Sequence, residues 1–150
     1  MTDTLMNLGI RICKVWFDVD LLELKIEVSN GISVFSNQVY VQHETLKTLI
    51  SDLNVFKTQV YGGILDVCLG AFGPEYAGGA FDARFHFQKL GQLYITVRQQ
   101  SQFADFPLRL VADEATIHLK TEPVLLDHFI GGLTALYMEN SAEAYLEAIS

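Results

Sequence analysis

Leu22-Glu23-Leu24-Lys25-Ile26-Glu27-Val28 sets an apolar side chain at every second position and a charged one between each pair. Successive side chains of an extended chain point to opposite faces, so this period of two describes a strand with one apolar and one wet side. The alternation returns at Phe81, Ala83, Phe85 and Phe87 against Asp82, Arg84, His86 and Gln88. It returns again at Leu93, Ile95 and Val97 against Tyr94, Thr96 and Arg98, and closes with Ala115, Ile117 and Leu119. Sheets that bury one face and wet the other are characteristically antiparallel, with helices or a second sheet over the apolar side.

Around that stretch, Ile10 to Phe17 and Leu21 to Ser29 read as strands joined by the acidic turn Asp18-Val19-Asp20, with Ile32 to Gln42 as a third. Asn30-Gly31 between alternating runs predicts a type I′ hairpin, because both residues tolerate positive φ. Leu46, Leu49, Ile50, Leu53 and Phe56 then fall at helical spacing, opposite Lys47, Ser51, Asp52 and Asn54, and predict an amphipathic helix over 43–58. Gly62-Gly63 lets the chain turn back into Ile64 to Leu69, an apolar run suited to a central strand. A hairpin about Lys89-Leu90-Gly91 joins two further strands, and Leu108 to Val111 leads to a last one ending near Lys120.

Pro123 suits the first turn of a second helix, where its missing N–H costs nothing. Leu125, Leu126, Phe129, Leu133, Leu136 and Tyr137 form its apolar stripe. Gly131-Gly132 weakens that helix by about 1 kcal/mol per glycine relative to alanine, a cost that close approach of the helix to the sheet would offset. Ala142 to Ile149 reads as a short terminal helix or a fraying end. The whole predicts an α+β fold, a twisted, mainly antiparallel sheet with two helices packed on one face, in a single domain over residues 1–150. Strands then helix occurs twice, without any repeat of residues.

The charge restricts what such a domain meets. With 10 Lys and Arg against 18 Asp and Glu, the formal net charge is −8, and no basic cluster exists to displace counterions from phosphate. Nucleic acid is therefore not an expected partner. No apolar run approaches the roughly 20 residues that span a bilayer, and Met1 to Gly9 lacks a basic stretch followed by an apolar one, so the expectation is a cytoplasmic protein without a membrane partner. Cys13 and Cys68 lie in apolar runs and are expected to be buried free thiols acting as small hydrophobes.

Enzyme signatures are missing from the sequence. His43, His86, His118 and His128 have no local ligand spacing, so no metal site is assigned. The glycine-rich connection Gly70 to Gly79 has neither Gly-Lys-Ser/Thr nor the dinucleotide spacing, and no cofactor is assigned. There is no Gly-x-Ser-x-Gly elbow and no base beside either cysteine, so no catalytic residue is assigned and the chain is read as a non-enzyme. One alternative stays open, a small-molecule-binding protein or enzyme using the polar sheet face around Arg84, His86, Arg98 and His118, with His86 and Asp82 as an acid/base pair. Tyr94, Thr96 and Thr116 would share that face.

The run Leu24-Lys25-Ile26-Glu27-Val28-Ser29-Asn30-Gly31-Ile32-Ser33-Val34-Phe35-Ser36, the helix after it and the strand Gly91-Gln92-Leu93-Tyr94-Ile95-Thr96-Val97 together resemble small bacterial proteins of the WapI type. Those are immunity partners of contact-dependent toxins, and the resemblance covers Leu22 to Leu136. Where members commonly continue the hairpin with a small glycine-containing turn, this chain has Phe35-Ser36-Asn37-Gln38. The resemblance implies a non-enzymatic inhibitor that covers a toxin domain. Charge is compatible with that role on its own terms, since opposite fields accelerate encounter with a basic partner. The expected contacts are the residues of turns, Asp18, Asp20, Glu75, Tyr76, Asp113 and Glu114. A homodimer is compatible with either reading.

Overall fold

The computed structural model of the chain describes residues 8–75, 78–89 and 91–150. Three strands, β1 (Gly9–Phe17), β2 (Leu21–Ser29) and β3 (Val34–Gln42), lead into helix α1 (His43–Phe56). Strands β4 (Ile64–Gly70), β5 (Ala80–Lys89) and β6 (Gln92–Gln100) follow, then a small hairpin of β7 (Ala104–Phe106) and β8 (Arg109–Val111). The chain closes with β9 (Glu114–Thr121), α2 (Pro123–Tyr137) and β10 (Glu143–Glu147).

The α+β class and the antiparallel pairing are as the alternation implies, and the pairing divides into two four-stranded sheets, ordered β10-β1-β2-β3 and β4-β5-β6-β9. Each half of the chain is a three-stranded meander followed by a helix, and each helix delivers its next strand to the other half's sheet. Strand β4 thus lies beside β5, and β10 beside β1. One hydrophobic cluster spans both sheets and both helices, with Ile26, Leu53, Phe87, Leu93, Leu126 and Leu133 almost completely sequestered. Phe56 of α1 stacks on Phe87 at 4.8 Å and meets Phe85 edge-on at 6.0 Å, so the second sheet carries α1 on its apolar face.

Polar side chains hold the sheets together at a dry corner. Buried Asn37 on β3 donates through Nδ2 to the carbonyls of Ala80 (2.8 Å) and Gln100 (2.9 Å). Its Oδ1 accepts from Nε2 of buried Gln99 at 2.8 Å, and the same amide reaches the Ile26 carbonyl at 3.2 Å. Gly79 makes this possible, because a Cβ there would stand 2.3 Å from the Gln38 carbonyl oxygen. At the opposite edge, Thr121 Oγ1 donates to the Glu147 carbonyl at 2.6 Å and Ile149 N–H to the Lys120 carbonyl at 2.8 Å.

Four local expectations are corrected. The Asn30-Gly31 connection is a four-residue turn, since Ser29 pairs with Val34 and only Gly31 has positive φ, 89°. Asn30 Oδ1 accepts from the N–H groups of Ile32 (2.9 Å) and Ser33 (2.8 Å), which selects the longer loop. Residues 143–147 form strand β10 rather than a helix, because Ala144 and Leu146 are buried and Glu143 and Glu147 exposed, a period of two. The run Ile64 to Leu69 is an edge strand, not a central one. Cys68 is exposed and Cys13 half-buried, since both sit on the outward parity of their strands.

The two helical glycines differ. A Cβ at Gly132 would lie 3.2 Å from Ala144 Cβ, the close approach expected, whereas a Cβ at Gly131 would meet nothing within 4 Å. Lys57 Nζ bonds Asp127 Oδ1 at 2.8 Å and ties α1 to α2. No helix among the described residues is long and apolar enough to cross a membrane.

Candidate functional site

The register of β4, β5, β6 and β9 assembles the outward residues of the second sheet into rows. Asp66, Arg84, Thr96 and His118 form one, and Cys68, Asp82, Arg98 and Thr116 the next. Arg84 donates to both oxygens of Asp66, Nε at 2.7 Å and Nη2 at 2.9 Å. That fork holds the Asp66 carboxyl below its ordinary value and raises the Arg84 guanidinium. Thr96 Oγ1 and His118 Nδ1 share a hydrogen bond of 3.1 Å. Arg98 lies 4.0 Å above the Phe72 ring and 3.7 Å from Glu114, and Gln100 Nε2 donates to Glu114 at 2.8 Å.

A shallow depression of about 320 Å³ on this face is lined by Asp66, Cys68, Asp82, Arg84, Thr96 and Arg98. His86 stands outside it, in the row of Ile64, Tyr94 and Lys120. Four residues along a strand separate His86 from Asp82, about 13 Å at the usual rise, so the two cannot exchange a proton directly. Arg84, Arg98 and His118 share the face but not one cavity with His86. The thiol of Cys68 is pushed up by burial first, then by the neighbouring carboxylates of Asp82 and Asp66, which suppresses the thiolate a nucleophile needs. Among the described residues no three His, Cys, Asp or Glu side chains converge as a metal site.

The acidic turns fall into two groups. Glu114 faces Gln100 and Arg98, and the Asp113 N–H and carbonyl both bond Ser101. Exposed Glu75 belongs to the β4–β5 connection, whose Gly73 N–H donates to Gln100 Oε1 at 3.0 Å. Tyr76 lies outside the described residues.

Asp18 and Asp20 occupy the β1–β2 turn. The Asp18 carboxylate accepts the Leu21 and Asp20 N–H groups, each at 2.8 Å, and is held below its ordinary value by those two bonds. Its backbone carbonyl meets His43 Nε2 at 2.8 Å, which docks the start of α1 against the turn.

What the turn acids did not disclose is the apolar company they keep. Trp16 is 45% exposed, Phe17 49% and Val19 88%, all beside Asp18 and Asp20. Trp16 meets Tyr40 edge-on at 6.5 Å and Lys14 lies 4.7 Å above the Phe17 ring. An open depression of about 570 Å³ at this corner is lined by Phe17, Asp18, Val19, His43, Tyr137 and Glu139. A bulge between Lys14 and Trp16 shifts the register just before this corner, so that Trp16 rather than Val15 stands opposite Glu23, in the row of Tyr40, and Phe17 opposite Leu22.

A second surface adjoins the corner. The face of α1 carrying Glu44, Thr48 and Asp52, residues four apart, forms with β4 a groove of about 270 Å³. Asp66 and Cys68 line its other wall and Leu49, Val67 and Leu69 its floor. The four-residue spacing was legible as a helical stripe, whereas its juxtaposition with β4 was not.

The fold and these surfaces define a class, an α+β domain of two antiparallel sheets sharing two helices, with an acidic, aromatic-bearing corner. No family model, curated protein or solved structure matches the chain.

Proposed function

We propose that the protein is a non-enzymatic binding module whose corner at the β1–β2 turn engages a basic partner protein, most simply as an immunity-type inhibitor of a bacterial toxin domain. The observation that carries this reading is the exposure of Trp16, Phe17 and Val19 at the turn that carries Asp18 and Asp20. Aromatic anchors of this kind supply most of the energy at protein interfaces, and surrounding charge sets the encounter rate. Among the described residues Arg11, Lys57, Arg84 and Arg98 each face a carboxylate, and the chain as a whole keeps an excess of eight negative charges to attract a basic partner. The rival small-molecule reading has less support, because Arg84 and Arg98 already face carboxylates in a shallow, open depression.

The reading requires a toxin domain encoded beside the gene; the test asks whether one is there and, if so, uses it. Toxin and this chain, mixed in stopped flow, should associate more slowly as salt rises. Trp16→Ala should weaken the complex by about 2 kcal/mol, roughly thirtyfold in Kd, the ordinary size of a hot spot. Absence of inhibition, or inhibition indifferent to both salt and Trp16→Ala, refutes the proposal.

A further inference from the structure

Strand β4 pairs with β5 alone, and the hydrogen-bond phase of that ladder identifies its unused groups. Phe87 N–H donates to the Gly63 carbonyl at 2.9 Å, one step beyond the Ile64–His86 pair. In an antiparallel ladder, residues alternate between exchanging both main-chain bonds with their partner and turning both groups away. The Phe87-to-Gly63 bond fixes the phase, although the Gly63 N–H itself donates to the Gln59 carbonyl at 3.0 Å, so Leu65, Val67 and Leu69 bond inward to β5. Asp66 and Cys68 therefore direct their N–H and C=O groups along the outer edge, where the groove lies.

Native sheets blunt such edges with lysine, proline, bulges or a cover. Ile64 to Gly70 contains none of the first two, and its pairing with β5 runs without a bulge. Strand β3 lies near the Gly70 end of β4, where Asn37 bonds the carbonyl of Ala80, the residue paired with Gly70. The residues lining the opening include Glu44, Asp52 and Asp66 and not one Lys, Arg or His; Asp66 is held by Arg84 from the outer face, which leaves Glu44 and Asp52 as the groove's negative charge.

We infer that the β4 edge and the facing side of α1 form a docking groove for an extended, cationic segment of a partner protein, which adds as a further antiparallel or parallel strand. An added strand sits about 4.8 Å from β4 and alternates its side chains. One set would point to Glu44 and Asp52 on α1, and the other to the row of Asp66. Lysine or arginine on the set facing α1 meets the carboxylates of Glu44 and Asp52, while on the outer side Asp66 is already held by Arg84, and the segment's main chain satisfies the free groups of Asp66 and Cys68. A second copy of this chain fits poorly, since edge-to-edge pairing would bring Glu44 and Asp52 of both copies together. The groove is continuous with the Asp18 corner through Gln42, His43 and Glu44, for His43 contacts Asp18 and Gln42 lines the groove. The inference rests on the protein-binding reading and names a surface for it.

The probe is a ten-residue peptide alternating lysine and valine, titrated into the full-length, isotope-labelled protein. The expected result is saturable amide shifts and slowed hydrogen exchange at Asp66 and Cys68, with side-chain shifts at Glu44 and Asp52. A glutamate–valine peptide, and a lysine–valine peptide N-methylated at alternate residues, should give none. Glu44→Gln together with Asp52→Lys, both on the solvent side of α1, should weaken binding at least tenfold while keeping the circular dichroism spectrum, with only the small drop in melting temperature that losing a first-turn carboxylate costs. Shifts scattered over all acidic surfaces, persistence with the N-methylated peptide, or the same protection appearing with protein concentration alone would each overturn the inference. Peptide binding without toxin inhibition sinks only the immunity reading; inhibition with an untouched β4 edge sinks only this one.

Discussion

Replacing Asn37 by alanine tests whether the two sheets are held in register by their buried polar corner. The substitution deletes two hydrogen bonds that Asn37 donates, to Ala80 and Gln100, and one that it accepts from Gln99. Each is worth about 1 kcal/mol net, so the loss is about 3 kcal/mol, with the stranded carbonyls adding to it. Against a total of about 5–15 kcal/mol for a domain, that is a large fraction. At an m-value near 2 kcal/mol/M, the urea midpoint should fall by about 1.5 M. Gln99→Ala removes the same Asn37 contact and the bond to the Ile26 carbonyl, so the double variant should fall short of additivity by about 1 kcal/mol. Equilibrium urea unfolding of wild type, both single variants and the double variant closes the cycle. A cost below about 0.5 kcal/mol for Asn37→Ala, or strict additivity, would refute the argument that this corner is a coupled, dry network.

Three further outcomes are expected. Gly131→Ala should stabilise the protein by up to about 1 kcal/mol through helix propensity, because its Cβ meets open space, whereas Gly132→Ala should show no such gain against Ala144 Cβ at 3.2 Å; equal melting-temperature shifts for the two would contradict this. Asp66, Asp18 and Asp127 are all held below their ordinary carboxyl values, by Arg84, by turn amides and by Lys57. Depressed folded values mean that their stabilisation is complete above the unfolded value and is lost as pH falls through the folded one. The melting temperature should therefore drop below about pH 4, and a flat profile from pH 5 to pH 2 would count against those contacts. Cys68, although exposed, should react with a disulfide reagent more slowly than a small free thiol at pH 8 in a Cys13→Ser background, and faster in Asp82→Asn, since the carboxylate disfavours the thiolate. A rate at or above the free thiol's would remove the carboxylates as its cause.

Much of the local structure was legible because burial of one face imposes a period. Leu22 to Val28, Phe81 to Phe87 and Leu93 to Val97 are strands with the inward residues their alternation names, and Leu46, Leu49, Leu53 and Phe56 are the buried stripe of α1. The same rule was present in Ala144-Tyr145-Leu146 but spread over too few residues to outweigh the helix-forming alanines and glutamates. In Cys68 it was obscured by a residue type that is usually buried. Of the candidate surface, the sequence disclosed the acids of the β1–β2 turn and not the exposed aromatic group beside them, because the register shift after Lys14 follows from pairing with β2.

The sequence by itself determined which residues turn inward along each strand and helix, since that choice depends only on side-chain chemistry and backbone period. Tertiary structure alone decided that β4 and β10 change sheets, that Asp66 faces Arg84, and that the Glu44 side of α1 lies against an unpaired edge. These relations follow from strand pairing, which joins residues distant along the chain through main-chain hydrogen bonds. Every residue but proline offers the same N–H and C=O, so nothing in the side chains marks in advance which strand will take them.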